Sequence, residues 1–570
     1  MLGWRGELIT VDISKLKWER GGADKWFLAA MVLCALFMLS SACYGVFYNY
    51  HTIPLMDHWE TIGLYDAYLK KGLNLGVFWE QHNEHRILFP RIFFLLDYIL
   101  ARGTGYLLIP LILLLQGLHV LLLGRSLWKN DSLSGRDRLF FSCTAMALCF
   151  WLVQRENFIW SFQVQWVLNG LFASLAAFFA CRIDDGTAAP INRRNFAWAA
   201  LCCLVAVYSL ANGIFMCAVL LAVIWKANAS RGMQLFWIVF SLFLGGSYLM
   251  HYHSPSQHSS ILGAFHPRTL HYLLVYLGNP FSKFNTLAGA LVGLVGLVLF
   301  FFFTGRFIML KGKASFFHRF AFSQITYLVF TAVITAVGRN KFGVIQATAG
   351  RYCTPVLLFW FFLLILVYTS VEAGGKTARR IRVSVLSFLF LIVLPFQLRA
   401  LPHMKIEYTN FDEASLGLIA GVEDTSMMYR YLYPNDSLIW ERNEFLKLHR
   451  LSVYREPWAH LLDQHLFEEY ELDTNSVPVE LEEIRPLDFS ARRGYFVRGK
   501  IRLPLLGKAP ELIFFAVRDS VIGYAKTLKR PCLGCFSGYV RGLENKSFDM
   551  YGLENQNSRR IFKIATYRDH

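Results

Sequence analysis

Long apolar runs, separated by short polar breaks, recur between residues 26 and 400 of the sequence. Each run is close to the roughly 20 residues needed to cross a hydrocarbon core of about 30 Å. With 55% hydrophobic and 17% charged residues, the 570-residue chain is too apolar for a soluble protein of its size. The runs stop near residue 400. The sequence therefore predicts a polytopic α-helical membrane region at 1–400 and a soluble region at 401–570.

The runs and their charged breaks predict eleven membrane spans. Placing the amino terminus in the cytoplasm makes every inside loop basic, as the positive-inside rule requires. An odd number of spans then puts residues 401–570 on the outer face, which for a bacterial inner membrane is the periplasm. The predicted spans are about 26–48, 106–127, 139–154, 164–181, 196–211, 213–226, 233–250, 286–304, 320–338, 352–371 and 383–400.

The charge balance disfavours nucleic acid as a partner. The formal net charge is +17, but the basic residues are spread over membrane-flanking loops and do not gather on one module. Anionic lipid headgroups explain this distribution better. No P-loop, glycine-rich dinucleotide fingerprint or Ser-His-Asp signature is evident, which disfavours a nucleotide-driven mechanism.

The first predicted outer loop carries two acids in the segment "IPLMDHWETIGLYDAYLKKG". Its amphipathic pattern predicts a helix in the membrane interface, on which Asp57 and Glu60, three residues apart, share a face. A carboxylate held there can accept a proton from a sugar hydroxyl while that hydroxyl attacks an anomeric carbon. We therefore take Asp57 and Glu60 as candidate catalytic residues. The alternative is an exposed helix with ordinary acids.

The same loop continues with "FWEQHNEHRILFPR", which has a high density of ionisable groups at the predicted bilayer edge. These groups are candidates for substrate contact, with the arginine receiving a phosphate. Two alternatives remain open: simple surface polarity, or a divalent metal such as Mg²⁺ or Mn²⁺ held by the two histidines, for which no Cys/His framework of standard spacing exists. The candidates are Glu80, His82, Glu84, His85 and Arg86.

A second outer hairpin has the sequence "QRENFIWSFQVQW" at 154–166. Aromatic and amide side chains suit the face of a sugar, but Trp160 and Trp166 equally fit an ordinary interfacial aromatic belt. Polar residues at this depth are harder to explain without a function. We take Glu156, Asn157 and Gln163 as candidate substrate-binding residues.

Two later outer segments add an amide, an aromatic and several cations: "YLGNPFSKF" and "GRNKFGVIQATAGRYCT". Arginine binds phosphate bidentately and lysine supplies a point charge, so together they can neutralise a departing lipid phosphate. The alternative is anchoring to lipid headgroups. The candidates are Asn279, Arg339, Lys341, Arg351 and Tyr352.

The arrangement resembles the GT-C superfamily of integral-membrane glycosyltransferases over roughly residues 26–400. The shared features are an acidic residue soon after the first span (Asp57, in "MDHWE"), a long outer loop with interfacial helices, and basic residues in later outer loops. A soluble outer domain at the carboxyl end recurs in several members. The resemblance implies a polyprenyl-phosphate-linked sugar donor, inversion at the anomeric carbon, and transfer to a periplasmic glycan, lipid or protein acceptor.

The last 170 residues predict a helix at 412–433 and then, from about 494, short alternating strands typical of a β-sandwich. This region either binds the acceptor glycan or caps the outer face. Cys532 and Cys535, in "PCLGC", are predicted to form a local disulfide in an oxidising compartment. The other nine cysteines fall in or beside apolar runs and are expected to be buried hydrophobes.

A transporter or flippase of a glycolipid is the main alternative function. Transporters place ionisable residues near the midplane of broken or repeated spans, whereas these spans are nearly free of charge and show no convincing repeat. An O-antigen polymerase or ligase is a second alternative. The long first loop and the carboxyl-terminal region disfavour it.

A reporter fused after residue 570 tests the predicted orientation. A reporter that works only outside the cytoplasm is expected to be active there, because eleven spans carry the chain across an odd number of times. The same reporter fused within 128–138, a predicted cytoplasmic loop, is the matched control and is expected to be inactive. Activity of a cytoplasm-specific reporter after residue 570 would contradict the orientation.

Overall fold

The structure of the protein is a computed structural model. It describes residues 22–184, 189–254, 266–310, 314–371, 375–473, 478–487, 492–502, 509–528, 534–542, 547–555 and 558–568. Over residues 22–419 the described chain is almost entirely helical, and a mainly β region follows.

The helices of the first region follow one another with short connections. Their apolar side chains form one large buried core, in which α8 packs against α5, α9 and α14. The helices are α1 (Gly22–Tyr48), α2 (Thr61–Lys71), α3 (Leu75–Trp79), α4 (Leu88–Ala101), α5 (Leu108–Trp128), α6 (Gly135–Cys149), α7 (Glu156–Ile159), α8 (Val164–Ala180), α9 (Ala189–Val207), α10 (Gly213–Lys226), α11 (Arg231–Leu249), α12 (Pro267–Leu277), α13 (Thr286–Met309), α14 (Phe316–Arg339), α15 (Cys353–Thr369), α16 (Lys376–Phe388) and α17 (Leu394–Ile419).

Eight helical segments within the described residues are long and apolar enough to cross a membrane: α1, α5, α8, α11, α13, α14, α15 and the continuous α16–α17 segment. They correspond to eight of the eleven predicted spans. The other three predictions, at 139–154, 196–211 and 213–226, coincide with α6, α9 and α10. Of these, α6 has 15 residues and α10 has 14, and α9 begins with a polar, arginine-containing turn. A total of eleven spans therefore stays a prediction.

The last helical segment runs for 44 residues, from Lys376 to Ile419, with a π-helical turn at Leu389–Val393. A bilayer needs only about 20 residues, so this segment is long enough to extend past the hydrocarbon. Its far end contacts the β region, where Asp412 pairs with Lys526 at 2.9 Å. The predicted boundary at residue 400 lies inside α17, and the two regions are joined by a helix.

The predicted helix at 412–433 is interrupted in the structure. Helix α17 ends at Ile419, Gly421 adopts a left-handed φ of +70°, and the Asp424 carboxylate accepts a hydrogen bond from the Met427 backbone N–H to start a new helix. The following helices are α18 (Thr425–Tyr431), α19 (Asp436–Leu448) and α20 (Leu466–Glu469).

A hairpin of two short strands, β1 (Gln81–His82) and β2 (His85–Arg86), lies in the loop between α3 and α4. The described strands of the carboxyl-terminal region form one eight-stranded sheet in the order β3-β10-β9-β6-β7-β8-β5-β4. These strands are β3 (Glu471–Asp473), β4 (Val479–Leu487), β5 (Gly494–Ile501), β6 (Leu512–Val517), β7 (Ser520–Thr527), β8 (Cys535–Arg541), β9 (Ser547–Leu553) and β10 (Arg560–Arg568).

The described strands form one continuous hydrogen-bonded sheet, and the sandwich-like packing of this region stays a prediction. Backbone pairing is continuous because β5 pairs with both β4 and β8, and β6 with both β7 and β9. Both faces are buried: Phe514 and Tyr524 join the helical core, whereas Ile513 and Phe515 belong to a second core made from the strands themselves. Alternating apolar residues are expected in either arrangement, so the sequence pattern could not separate them.

The cysteines follow the sequence expectation in part. All nine in the first region are free, and eight of these are buried. Cys535 is disulfide-bonded. Cys532, the other half of the predicted disulfide, lies outside the described residues.

Buried polar contacts hold the helices in register. The side-chain oxygen of Gln397, in α17, accepts a hydrogen bond from the Leu152 backbone N–H at 2.7 Å, and its nitrogen donates to Ser41 Oγ of α1 at 2.9 Å. Gln397 is fully buried. One amide thus ties three separate segments together where water cannot replace the bonds.

Replacing Gln397 with leucine is expected to lower the free energy of unfolding by about 1–3 kcal/mol, because the Leu152 N–H and Ser41 hydroxyl lose a buried partner. Thermal unfolding of the detergent-purified protein measures this. Leu398→Ala is the matched control. Leu398 is the next residue along the chain and is 52% exposed, so this substitution should leave the midpoint nearly unchanged. An equal midpoint for Gln397→Leu and the natural chain would refute the role of the amide.

Candidate functional site

The segment after α1 does not continue as one helix. Residues Met56–Glu60 form a 3-10 turn, and α2 follows directly. Met56 has a left-handed φ of +46°, which is unfavourable for a residue with a side chain. Its backbone N–H donates to the Leu432 carbonyl oxygen at 2.6 Å. The strained residue directly precedes Asp57, and the carboxyl-terminal region fixes its conformation.

The β1–β2 hairpin positions His82. Asn83 adopts a left-handed φ of +48° in the turn, a conformation that asparagine tolerates well, and His82 pairs with His85 across the hairpin. The base of the hairpin is held by Arg86, which is 3% exposed and donates to the carbonyl oxygens of Trp79, Tyr248 and Met250. The guanidinium of Arg86 is therefore occupied by backbone acceptors.

His82 lies between the two predicted catalytic acids. Its Nδ1 is 3.1 Å from Glu60 Oε2, and its Nε2 is 3.9 Å from Asp57 Oδ2. The imidazole is buried, whereas Asp57 and Glu60 are 37% and 38% exposed. On the other side of Glu60, Tyr433 donates its hydroxyl proton to Oε1 at 2.6 Å. We call these four residues the carboxylate–histidine cluster.

The electrostatics of this cluster favour a charged histidine. Burial by itself lowers the pKa of His82, but its interactions with Asp57 and Glu60 outweigh burial and raise the pKa to about 9. For Glu60, burial raises the pKa, and the hydrogen bonds and charge of His82, with the Tyr433 hydroxyl, produce a net lowering. At neutral pH the cluster holds an imidazolium between two carboxylates.

The turn of the β1–β2 hairpin also contacts a cation at the end of α14. Arg339 at the end of α14 forms an ion pair with Glu84, and His85 Nε2 is 3.4 Å from the same carboxylate. Lys341 follows in the exposed turn Asn340–Phe342. The first predicted outer loop and the loop after α14 are thus in direct contact, although 255 positions separate Glu84 and Arg339.

A second ion pair joins two further loops. Arg351 Nη1 is 2.9 Å from Glu156 Oε1, and the Arg351 backbone N–H donates to Glu156 Oε2 at 3.1 Å. Gly350 permits this approach, because a Cβ there would lie 2.9 Å from Glu156 Oε2. The guanidinium also stacks on Tyr352, 5.1 Å from the ring centroid. Helix α12 contacts the segment that carries both arginines: Asn340, next to Arg339, donates to Thr269 Oγ1, and Tyr272 donates to Gln346 Oε1.

The predicted amides form the framework of these loops. Asn157 donates to the Arg351 carbonyl oxygen and to Thr354 Oγ1, and Asn279 donates to two carbonyl oxygens in the segment before Arg351. Gln163 is buried, and its side-chain oxygen has no hydrogen-bond partner within the described residues. Glu80 is exposed at the start of the hairpin. Asn157 and Asn279 therefore position the loops through their amide nitrogens. The side-chain oxygens of Asn157 and Gln163 are buried without a hydrogen-bond partner among the described residues.

Two participants were not identified from the sequence. Tyr433 comes from the carboxyl-terminal region, 373 positions from Glu60, and no local pattern marks it. Tyr272 lies on α12 and donates to Gln346 Oε1, in the segment between Arg339 and Arg351, at 3.1 Å. Each is a single tyrosine, and only the tertiary contacts reveal it.

A resident metal has little support in the described part of the chain. No group of three or more His, Cys, Asp or Glu side chains suited to hold a metal ion occurs there. Both ring nitrogens of His82 face carboxylates, and His85 Nδ1 accepts from the Ala211 backbone N–H at 3.3 Å. The metal alternative for His82 and His85 is therefore not carried forward.

Comparisons with known proteins assign no identity. No protein-family description, curated protein or solved structure matches the chain.

The pH dependence of stability tests the carboxylate–histidine cluster. Because the pKa of His82 is raised from its ordinary value near 6.5 to about 9, its ion pairs stabilise the fold fully below about pH 6.5 and lose this contribution as the pH rises through 9. The difference in unfolding midpoint between the natural chain and His82→Asn should therefore be largest near pH 6 and shrink by pH 9.5.

His403→Asn is the matched control, since His403 is exposed on α17 and the same substitution there should leave the midpoint difference small and flat with pH. A His82→Asn difference that stayed constant from pH 6 to pH 9.5 would rule out the imidazolium.

Proposed function

We propose that the protein is an inverting membrane glycosyltransferase that moves a sugar from a polyprenyl-phosphate donor to an acceptor on the outer, periplasmic face of a bacterial inner membrane. The observation that carries this proposal is the proximity of two chemistries. A half-exposed carboxylate pair next to a buried imidazolium connects, through the β1–β2 hairpin, to the Glu84–Arg339 ion pair. The Glu156–Arg351 pair adds a second cation on the loop that follows Arg339. Transfer from a lipid phosphate needs a base that accepts the proton of the acceptor hydroxyl and cations that bind the phosphate.

Asp57 is the better general base of the two acids. Glu60 has both carboxylate oxygens engaged, one by Tyr433 and one by His82, and its pKa is lowered. Asp57 is held only by the longer contact to His82 among the described residues, and 37% of its side chain is exposed. Glu60 and Tyr433 then act as positioning residues that orient His82, which in turn orients Asp57.

The proposed reaction is a displacement at the anomeric carbon, accompanied by one proton transfer. The Asp57 carboxylate takes the proton of an acceptor hydroxyl as that oxygen attacks the anomeric carbon, and the bond from this carbon to the donor phosphate breaks. Attack from the face opposite the phosphate inverts the configuration. The departing lipid phosphate gains negative charge, which nearby cations stabilise.

The cations suited to this role are Arg339, Lys341 and Arg351. Arg339 and Arg351 are oriented by Glu84 and Glu156 before any phosphate binds, and a partly exposed guanidinium can share its remaining N–H groups with phosphate oxygens. Arg86 is omitted because three backbone carbonyl oxygens already use it. Gln163, with its open acceptor, remains a candidate for a sugar hydroxyl.

The resemblance to the GT-C superfamily supports the same function. In that resemblance Asp57 corresponds to the acidic residue after the first span, and the polyprenyl chain of the donor lies among the membrane lipids. The distribution of charge disfavours the transporter alternative. The charged groups described above lie outside the interior of the eight candidate spans and close to their ends.

Replacing Asp57 with asparagine is expected to reduce sugar transfer by about 10²–10⁴-fold, because the amide cannot accept the acceptor's proton. Purified protein is incubated with candidate polyprenyl-phosphate sugars and acceptors, and the product is quantified by mass spectrometry. Asp66→Asn, which changes an acid on α2 that pairs with Lys70, is the matched control and should keep full activity.

Two results would contradict the proposal. Full transfer by Asp57→Asn would remove the base assignment. Absence of transfer with every donor, together with substrate-dependent flux in liposomes, would replace the enzyme by a transporter.

A further inference from the structure

A cavity of about 420 Å³ lies in the carboxyl-terminal region, away from the carboxylate–histidine cluster. Its walls are the end of α17, one face of α19, and the ends of β5 and β8. None of its lining residues takes part in the chemistry proposed above. A cavity of this size accommodates a small ligand of one or two sugar units.

Helix α19 separates the cavity from the first loop. Trp440, Asn443 and Lys447 line the cavity, and their spacing of three and four residues puts them on one face. The opposite face packs on α2: Phe445 stacks edge-on against Tyr65 at 6.5 Å, and Arg442 lies against Gly63. The same helix thus contacts the cavity on one side and the segment after Glu60 on the other.

Cations dominate the cavity wall. Lys447, Arg492, Arg493 and Arg541 line it, against one lining carboxylate, Glu444. Arg541 is paired with Asp463 at 3.1 Å, and the Arg492 guanidinium lies 4.2 Å from the ring centroid of Trp440. Four cations around one concave surface favour a ligand with negative charge.

Hydrogen-bonding groups accompany the charge. The indole Nε1 of the buried Trp440 has no acceptor within the described residues. Tyr454 donates to Asn443 Oδ1 at 2.9 Å and thereby fixes the amide at the cavity wall. An adjoining hollow shares Trp440, Glu444 and Arg492 and adds the carboxylates of Glu423 and Glu441. Donors for an anionic group therefore lie beside acceptors for hydroxyl groups.

This combination matches an acidic saccharide. The arginines suit a carboxylate or phosphate, and the neighbouring glutamates accept hydrogen bonds from sugar hydroxyls. An acidic peptide would satisfy the arginines, but it has no hydroxyl groups for the carboxylates. A simple lipid headgroup would satisfy the arginines alone.

We propose that this cavity binds a saccharide bearing carboxylate or phosphate groups and, resting on the glycosyltransferase function proposed above, that this saccharide is part of the acceptor. The bound acceptor chain would then be held by α19. The other face of α19 packs on α2, directly after the turn that carries Asp57 and Glu60. The cavity would retain a growing or repeating chain close to the site of transfer.

Calorimetric titration of the full-length protein in nanodiscs tests the binding. The probes are tetragalacturonate for the carboxylate form, mannose 6-phosphate for the phosphate form, cellotetraose as the neutral saccharide and tetraglutamate as the acidic peptide. At least one acidic saccharide is expected to bind, more weakly as salt rises. The neutral saccharide and the peptide are expected to bind at least about tenfold more weakly, since each lacks one set of partners.

The variant Arg492→Gln/Arg493→Gln should weaken acidic-saccharide binding by about tenfold or more, because two charge-assisted contacts are lost. Arg502→Gln, at an exposed arginine paired with Glu480 on β4, is the matched control and should bind as the natural chain does. Trp440→Phe removes only the indole donor and should weaken binding to a smaller extent. Unfolding midpoints of all variants show that the fold is retained.

Several outcomes would overturn the proposal: no binding of either acidic saccharide, equal binding of cellotetraose or tetraglutamate, or unchanged affinity in the double arginine variant. The readout also separates the two proposals. Binding of an acidic saccharide by the natural chain, together with no sugar transfer by that chain from any donor, would leave the cavity and remove the enzyme. Transfer without cavity binding would do the reverse.

Discussion

The cost of an unpaired charge near a hydrocarbon phase determines how this protein is arranged. Such charges are expensive unless they are paired or reach water. The apolar helices accordingly carry few of them, and the ionisable groups collect where helices end. There they pair across long stretches of sequence, as Glu84 does with Arg339 and Glu156 with Arg351. The site is built at the helix ends, where charges can pair or reach water.

The carboxyl-terminal region completes this site and does more than cover it. Its residues Leu432 and Tyr433 contact Met56 and Glu60, and Ser452 donates its hydroxyl to the Thr52 carbonyl oxygen. These bonds fix the backbone just before Asp57 and the orientation of the Glu60 carboxylate. Removing the region would therefore disturb the proposed base directly. The continuous helix α17 keeps the two regions together without a flexible linker.

The helical region was largely predictable because apolar runs of membrane length are a local property of the sequence. The first loop was also recognisable: Asp57, Glu60 and His82 were all identified as candidates. Their mutual distances were not, since they depend on a left-handed Met56 and on the turn at Asn83. Sequence also could not rank the cations, because only the contacts show that Arg86 serves carbonyl oxygens. The strand order of the second region's sheet could not be predicted either, since alternation indicates which side of a strand is buried and not which strand lies beside it.

Helix α19 connects the two proposed sites physically. One face, with Phe445, packs on α2 directly after Glu60, and the other, with Trp440, lines the cationic cavity. A packed helix moves largely as a unit, so a ligand that fixes the Trp440 face also restricts the loop that carries the carboxylates. When one ligand orders this loop, the loop loses less conformational entropy when a second ligand binds there. Occupancy of the cavity and binding at the carboxylate–histidine cluster should therefore favour one another.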